Sequence, residues 1–160
     1  MNIKEYDIAN GEGIRVSLWV AGCEHHCSGC HNPETWNSCN GREFEIDDLI
    51  YLENLLSKKE IAGISFTGGD PLSAENREEI TSMSNYLKRN YPNKTQWLWT
   101  GYQWEDIKHL PIINNLDVVI DGRYEKDKRD ITLKWRGSSN QRVIDVKKSI
   151  ISNSVILYCD

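Results

Sequence analysis

An open, partial β/α barrel of about four to six mostly parallel strands is the fold class this sequence predicts. Three observations predict it: β-rich runs that each end in glycine, helical patterns standing between them, and a length of 160 residues. Strands alternating with helices are the pattern of βαβ units and a parallel sheet. A complete eight-fold barrel takes about 250 residues, so this chain makes only part of one and leaves a side for something else to cover. One domain is expected over 1–160, with 144–160 as a C-terminal extension of unknown role.

The strands are read in order as Ile14–Val20 running into Gly22, Ile64–Thr67 into Gly68-Gly69, Thr95–Thr100 into Gly101, and Val118–Asp121 into Gly122. Asp47 and Asp48 open the first helical pattern, Leu49, Leu52 and Leu56 form its stripe, and Lys58 and Lys59 close it. Acid at the start and base at the end suit the helix dipole. A second helix follows Pro71, with Ser73 as its cap, Glu75, Glu78 and Glu79 early, and Ile80, Met83 and Leu87 as its stripe. Lys88, Arg89 and Pro92 mark its end. A shorter one spans Trp104 to His109. In such sheets ligands bind beyond the carboxyl ends of the strands. Cys23, Thr67–Asp70, Thr100–Tyr102 and Asp121–Tyr124 are therefore expected at one rim.

Composition narrows the function. The 19 Lys+Arg against 24 Asp+Glu give a net charge of −5, which argues against a nucleic-acid protein held by a basic face. No apolar stretch approaches the ~20 residues of a membrane span, and Met1–Asp7 has no apolar secretory core, so a cytoplasmic location is expected. Five cysteines are an odd count. In a reducing compartment they point to ligation or catalysis rather than to a disulfide framework.

The strongest signal is Cys23-Glu24-His25-His26-Cys27-Ser28-Gly29-Cys30, a C-x3-C-x2-C loop after the first β-rich run. Three soft thiolates on so short a loop can wrap one metal centre. The next cysteine, Cys39, is nine residues on and not at ligand spacing. Three thiolates on a four-iron cube leave one iron open, and an open position distinguishes a reactive site from a structural one. Two other readings stand beside it: structural zinc as Cys3His with His25 or His26, and a closed ferredoxin-type cluster with Cys39 or Cys159 as fourth ligand. His31 directly follows Cys30 and is poorly placed to share its metal. The second signal is Gly68-Gly69-Asp70-Pro71 between a strand and a helix. Its glycines present bare backbone to whatever lies over the strand end, Asp70 adds an acceptor, and Pro71 sets the helix entry.

Cys23-x3-Cys27-x2-Cys30 is similar to the signature of radical S-adenosylmethionine enzymes, and Gly68-Gly69-Asp70-Pro71 resembles their glycine-rich motif that contacts the methionine amine. Asp70 departs from the Glu common in that superfamily. More narrowly, the chain resembles the small activases of anaerobic ribonucleoside-triphosphate reductases. The resembling stretches are Asn10–Arg15, the Cys loop with His31–Trp36, Thr67–Leu72, Trp99–Tyr102, Asp121–Tyr124 and Trp135–Arg142. Activases of the formate-lyase type are the other substrate class, and they are generally longer.

The resemblance implies a radical-SAM type of partial barrel and an oxidoreductase with two cofactors, a [4Fe-4S] cluster and S-adenosyl-L-methionine. Cys23, Cys27 and Cys30 would hold three irons, with the amino and carboxylate groups of S-adenosylmethionine on the fourth. An electron from the cluster would cleave the sulfonium, and the 5′-deoxyadenosyl radical would take a hydrogen atom from a glycine Cα of the reductase. Gly29, Cys30 and His31 would flank the ligand, and Gly68, Gly69 and Asp70 would receive its amine. Thr100 and Asp121 are the candidates for contacts deeper in the site. The partners implied are the reductase and a low-potential, flavodoxin-like electron donor. Hydrogen-atom abstraction requires no acid or base, and none is assigned. Trp19, Trp97 and Trp99 read as core or helix-facing residues; Trp36, Trp104 and Trp135 could anchor a partner. Trp135–Arg142 is expected to dock a partner or enclose the ligand.

Overall fold

The computed structural model describes residues 1–159. The strands are β1 (Asn2–Asp7), β2 (Ile14–Val20), β3 (Ile61–Gly68), β4 (Thr95–Trp99), β5 (Val118–Asp121) and β6 (Arg142–Asp145). The helices are α1 (Ile46–Leu56), α2 (Arg77–Asn90), α3 (Trp104–Ile107) and α4 (Val146–Ser152). All six strands lie in one sheet in chain order. The four central strands run parallel, and β1 and β6 join the two edges antiparallel. Among the described residues the sheet stays open. Its strand number, its openness and its parallel centre match the expectation; the sheet is mixed, with antiparallel edges, and a barrel is not confirmed.

Strand parity explains the layers. Val16, Leu18, Val20, Ile64, Phe66, Leu98, Val119 and Ile144 share one buried cluster with the helix residues Leu52, Leu55, Leu56, Ile80, Met83 and Leu87. Strands in consecutive order with right-handed crossovers place every connecting helix on that same face. The opposite face carries the alternate residues: Trp97, Val118, Ile120 and Val143 form a second cluster, with Trp99, Trp135 and Cys159 packed on it. Arg15 lies there too, 1% exposed. Its guanidinium donates to Ser65 Oγ, Thr95 Oγ1 and the carbonyls of Ile64 and Thr95. Burial lowers its pKa to about 10.

Two helices differ from expectation. The second helix starts at Arg77, not after Pro71. Residues 71–76 are engaged elsewhere: Asn76 Nδ2 donates to the carbonyls of Ala21, Gly22 and Asp70, and Arg77 donates to Leu72 O. Ser73 is not its side-chain cap; Ser73 Oγ is buried without a partner. The third helix stops at Ile107, before His109, and its Trp104 is 4% exposed and part of the core. The C-terminal extension completes the sheet. Ile144 and Leu157 pair antiparallel, and Tyr158 N–H donates to Val143 O at 2.7 Å. No helix among the described residues is long and apolar enough to cross a membrane.

Candidate metal centre

The loop that leaves β2 is held at its stem by backbone bonds from Gly22 N to Thr35 O (2.8 Å) and from Cys23 N to Trp36 O (3.1 Å). Within it, Cys30 N donates to Cys27 O at 3.0 Å, a tight turn that brings the last two cysteines together. Gly29 takes a φ of +73°, where a side chain is strained. Cys23, Cys27 and Cys30 all line one cavity of about 260 Å³. It opens beyond the carboxyl ends of the parallel strands, where Trp19, Thr67, Trp99 and Gly122 also reach its wall.

Burial pushes the Cys23 and Cys27 thiols up, against backbone N–H groups of His25 and Tyr124 that favour the thiolates. A metal centre replaces those protons on binding. Three free, half-buried soft donors on one wall fit an iron–sulfur cluster. Among the described residues no three His, Cys, Asp or Glu side chains gather as the donor set of a single ion.

Of the other predicted site residues, His31, Gly68, Gly69, Asp70 and Thr100 share the cavity wall. Gly29 does not; a Cβ there would lie 3.1 Å from the stem of Lys126. Asp121 does not either. Its carboxylate accepts from Trp104 N at 2.8 Å and pairs with Arg142, a structural ion pair behind the rim. The glycine pair has a reason beyond exposing backbone. A Cβ on Gly68 would stand 2.7 Å from Val20 O, and one on Gly69 2.5 Å from Gly22 O. The turn thus lies directly against the start of the cysteine loop, joined by Gly69 N to Val20 O and Asp70 N to Gly22 O.

Sequence reasoning missed several wall residues. Trp19 and Trp99 are not helix-facing, because they sit on the parity opposite the helix cluster. Trp19 Nε1 is buried with no partner, and Trp99 Nε1 donates to Trp135 O at 2.8 Å. Trp135 packs edge-on against Trp97, and Trp135, Gly137 and Gln141 line the cavity. Trp36 packs edge-on against His26. His25 lies on the wall with Nε2 2.6 Å from Asp70 Oδ2 and Nδ1 buried without a partner. His26 is exposed, Cys39 is exposed in a short 3-10 helix (Ser38–Asn40), and Cys159 packs near Trp97.

Fold and cavity together place three free cysteines of one loop on a single wall at the carboxyl ends of the parallel strands. The family described as a 4Fe-4S single cluster domain matches residues 9–144. Three similar proteins carry the name anaerobic ribonucleoside-triphosphate reductase-activating protein. The one of Enterobacteria phage T4 is 50% identical, over 86% of this chain and 87% of that protein. Those of Pasteurella multocida and Escherichia coli K12 are 40% and 37% identical, over 88% and 89% of this chain and 95% and 97% of theirs. The chain belongs to the 4Fe-4S single cluster family, among the anaerobic ribonucleoside-triphosphate reductase-activating proteins. That membership favours the iron–sulfur reading over structural zinc.

Proposed function

We propose that the chain is a radical S-adenosylmethionine activase that installs a glycyl radical on an anaerobic ribonucleoside-triphosphate reductase. The observation that carries the reading is one cavity wall bearing three cysteine thiols, with the Gly68-Gly69 turn on the same wall and the other two cysteines elsewhere. When bound, the cluster supplies an electron that cleaves S-adenosylmethionine, and the fragment released removes a hydrogen atom from a glycine of the partner.

The chain's own residues bind, orient and exclude. Cys23, Cys27 and Cys30 would hold the cluster, and with three thiolates for four irons one position would remain for the ligand. Gly68 and Gly69 bring bare backbone up to it for the ammonium group, beside Cys30 and His31. Thr67 and Thr100 line the floor, and the aromatic wall of Trp19, Trp99, Tyr124 and Trp135 restricts water around a reactive fragment. The open sheet admits a peptide loop of another protein, which a closed barrel of this size would not. A low-potential, flavodoxin-like protein is the reductant.

Anaerobic reconstitution with iron and sulfide tests this. The full chain should turn brown, cleave S-adenosylmethionine only with a strong reductant, and give a glycine-centred doublet in low-temperature spin resonance when the reductase is added. Cys30→Ala should abolish the cleavage; cleavage retained in that variant, or one zinc per chain in anaerobically purified protein, overturns the reading.

A further inference from the structure

His25 is the one residue between Cys23 and Cys27 that turns inward. Glu24 and His26 on either side of it are exposed, whereas its own side chain is 3% exposed. A buried imidazole needs a partner, and it has one across 45 residues of sequence. Its Nε2 lies 2.6 Å from Oδ2 of Asp70, itself 1% exposed. Because a carboxylate only accepts, Nε2 carries the proton and donates.

The same carboxylate holds two further segments. Its Oδ2 accepts from Thr100 Oγ1 and Gly101 N, both at 2.9 Å, and its Oδ1 accepts from Leu72 N at 2.8 Å. The imidazole lies flat enough on Gly101 that a Cβ there would meet its Cδ2 at 2.4 Å. Tyr102 closes the edge, its ring centroid 4.6 Å from that of His25. One buried side chain thus joins the loop after β2, the turn after β3 and the turn after β4. Those segments carry the thiols, the glycine pair and the floor of the cavity.

We propose that His25 is a positioning residue that, through Asp70, sets the distance between the three thiols and the Gly68-Gly69 turn, and that Asp70 serves this tie rather than the ligand's ammonium group. The inference rests on the reading that this cavity brings a cluster and S-adenosylmethionine together. Outer partners of metal ligands act in this way, and their loss costs about 10–100-fold in affinity or activity.

The test uses the full chain reconstituted anaerobically as wild type, His25→Gln, His25→Asn and His25→Leu. Gln places its amide nitrogen near Nε2, within reach of Asp70; Asn places its own near Nδ1 and falls short. Iron and acid-labile sulfide are measured first, then the concentration of S-adenosylmethionine that shifts the spin-resonance signal of the reduced cluster, then KM and kcat for cleavage. All four proteins should hold equal iron. Asn and Leu should need about 10–100-fold more S-adenosylmethionine to shift the signal, with Gln restoring the response. If the Leu variant takes up no iron, the two amides carry the comparison, and equal behaviour of Gln and Asn overturns the proposal. A Leu variant that responds at wild-type concentrations overturns it alone, whereas a wild-type cluster with no response removes the underlying reading as well.

Discussion

Gly101 sits where there is least room for a side chain near the cavity, since a methyl group would overlap the His25 ring at 2.4–2.7 Å. Its backbone is not in the left-handed region, so the constraint is steric alone. Gly101→Ala should therefore destabilise the fold by about 1–3 kcal/mol, the cost of overpacking, read from urea unfolding of the cluster-free protein. Asp7 offers a second check, through pH. Burial pushes its carboxyl up, but bonds from Asn10 Nδ2 (2.6 Å), Ser17 Oγ (2.7 Å) and Ala9 N (2.8 Å) outweigh it, and the net shift is below 3.8. A depressed folded-state value stabilises the fold above the unfolded value and is lost as pH falls through the folded one. Asp7→Asn should be less stable than wild type at neutral pH, with the gap shrinking between about pH 5 and pH 3. A gap that stays constant over that range would show the bonds to be unimportant.

At the scale of elements, β3 and β4 touch most closely at Gly63, opposite Thr95. A Cβ there would stand 1.9 Å from Thr95 O, inside any allowed contact, and the same carbonyl accepts from buried Arg15. Neither strand can retreat without uncovering that cation. Gly63→Ala should cost more than about 3 kcal/mol, seen as a fall in the urea midpoint, and a change under about 1 kcal/mol would refute the rigid pairing. Elements with strong local pattern, such as β2 and β5, are plain in the sequence because their residues alternate or run apolar into glycine. The edges are not. β1 reads Asn-Ile-Lys-Glu-Tyr-Asp and is mostly exposed, and β6 has four residues, so neither displays enough apolar periodicity to declare itself. The start of α2 moved to Arg77 because Asn76 Nδ2 is claimed by the carbonyls of Ala21 and Gly22, bonds across more than 50 residues that no local rule contains.

At the scale of the whole molecule, Trp97 joins parts far apart in the chain. Its ring lies 4.8 Å from Trp135, 5.2 Å from Tyr158 and 5.2 Å from the Arg15 guanidinium. Tyr158 in turn bonds Glu12, so the last residues close over the first glycine turn. Trp97→Ala should cost about 3–5 kcal/mol, as large aromatic deletions do. Removing residues 153–160 should destabilise the same face; a truncated chain with an unchanged thermal midpoint would count against the tail's structural role.

The sequence alone determined that Cys23, Cys27 and Cys30 lie on one short loop, since residues separated by three and two positions are placed by covalent spacing. It also determined the alternation of strand and helix, and the rim where Cys23, Gly68 and Thr100 meet. Tertiary structure decided which neighbours of those residues face the cavity. Trp19 and Trp99 reach it through strand parity and register, Asp121 is withdrawn by Arg142, and Asp70 is claimed by His25. The reason is range. Spacing along a loop is written in consecutive residues, whereas a bond across 45 residues exists only once the parallel strands have brought their ends together.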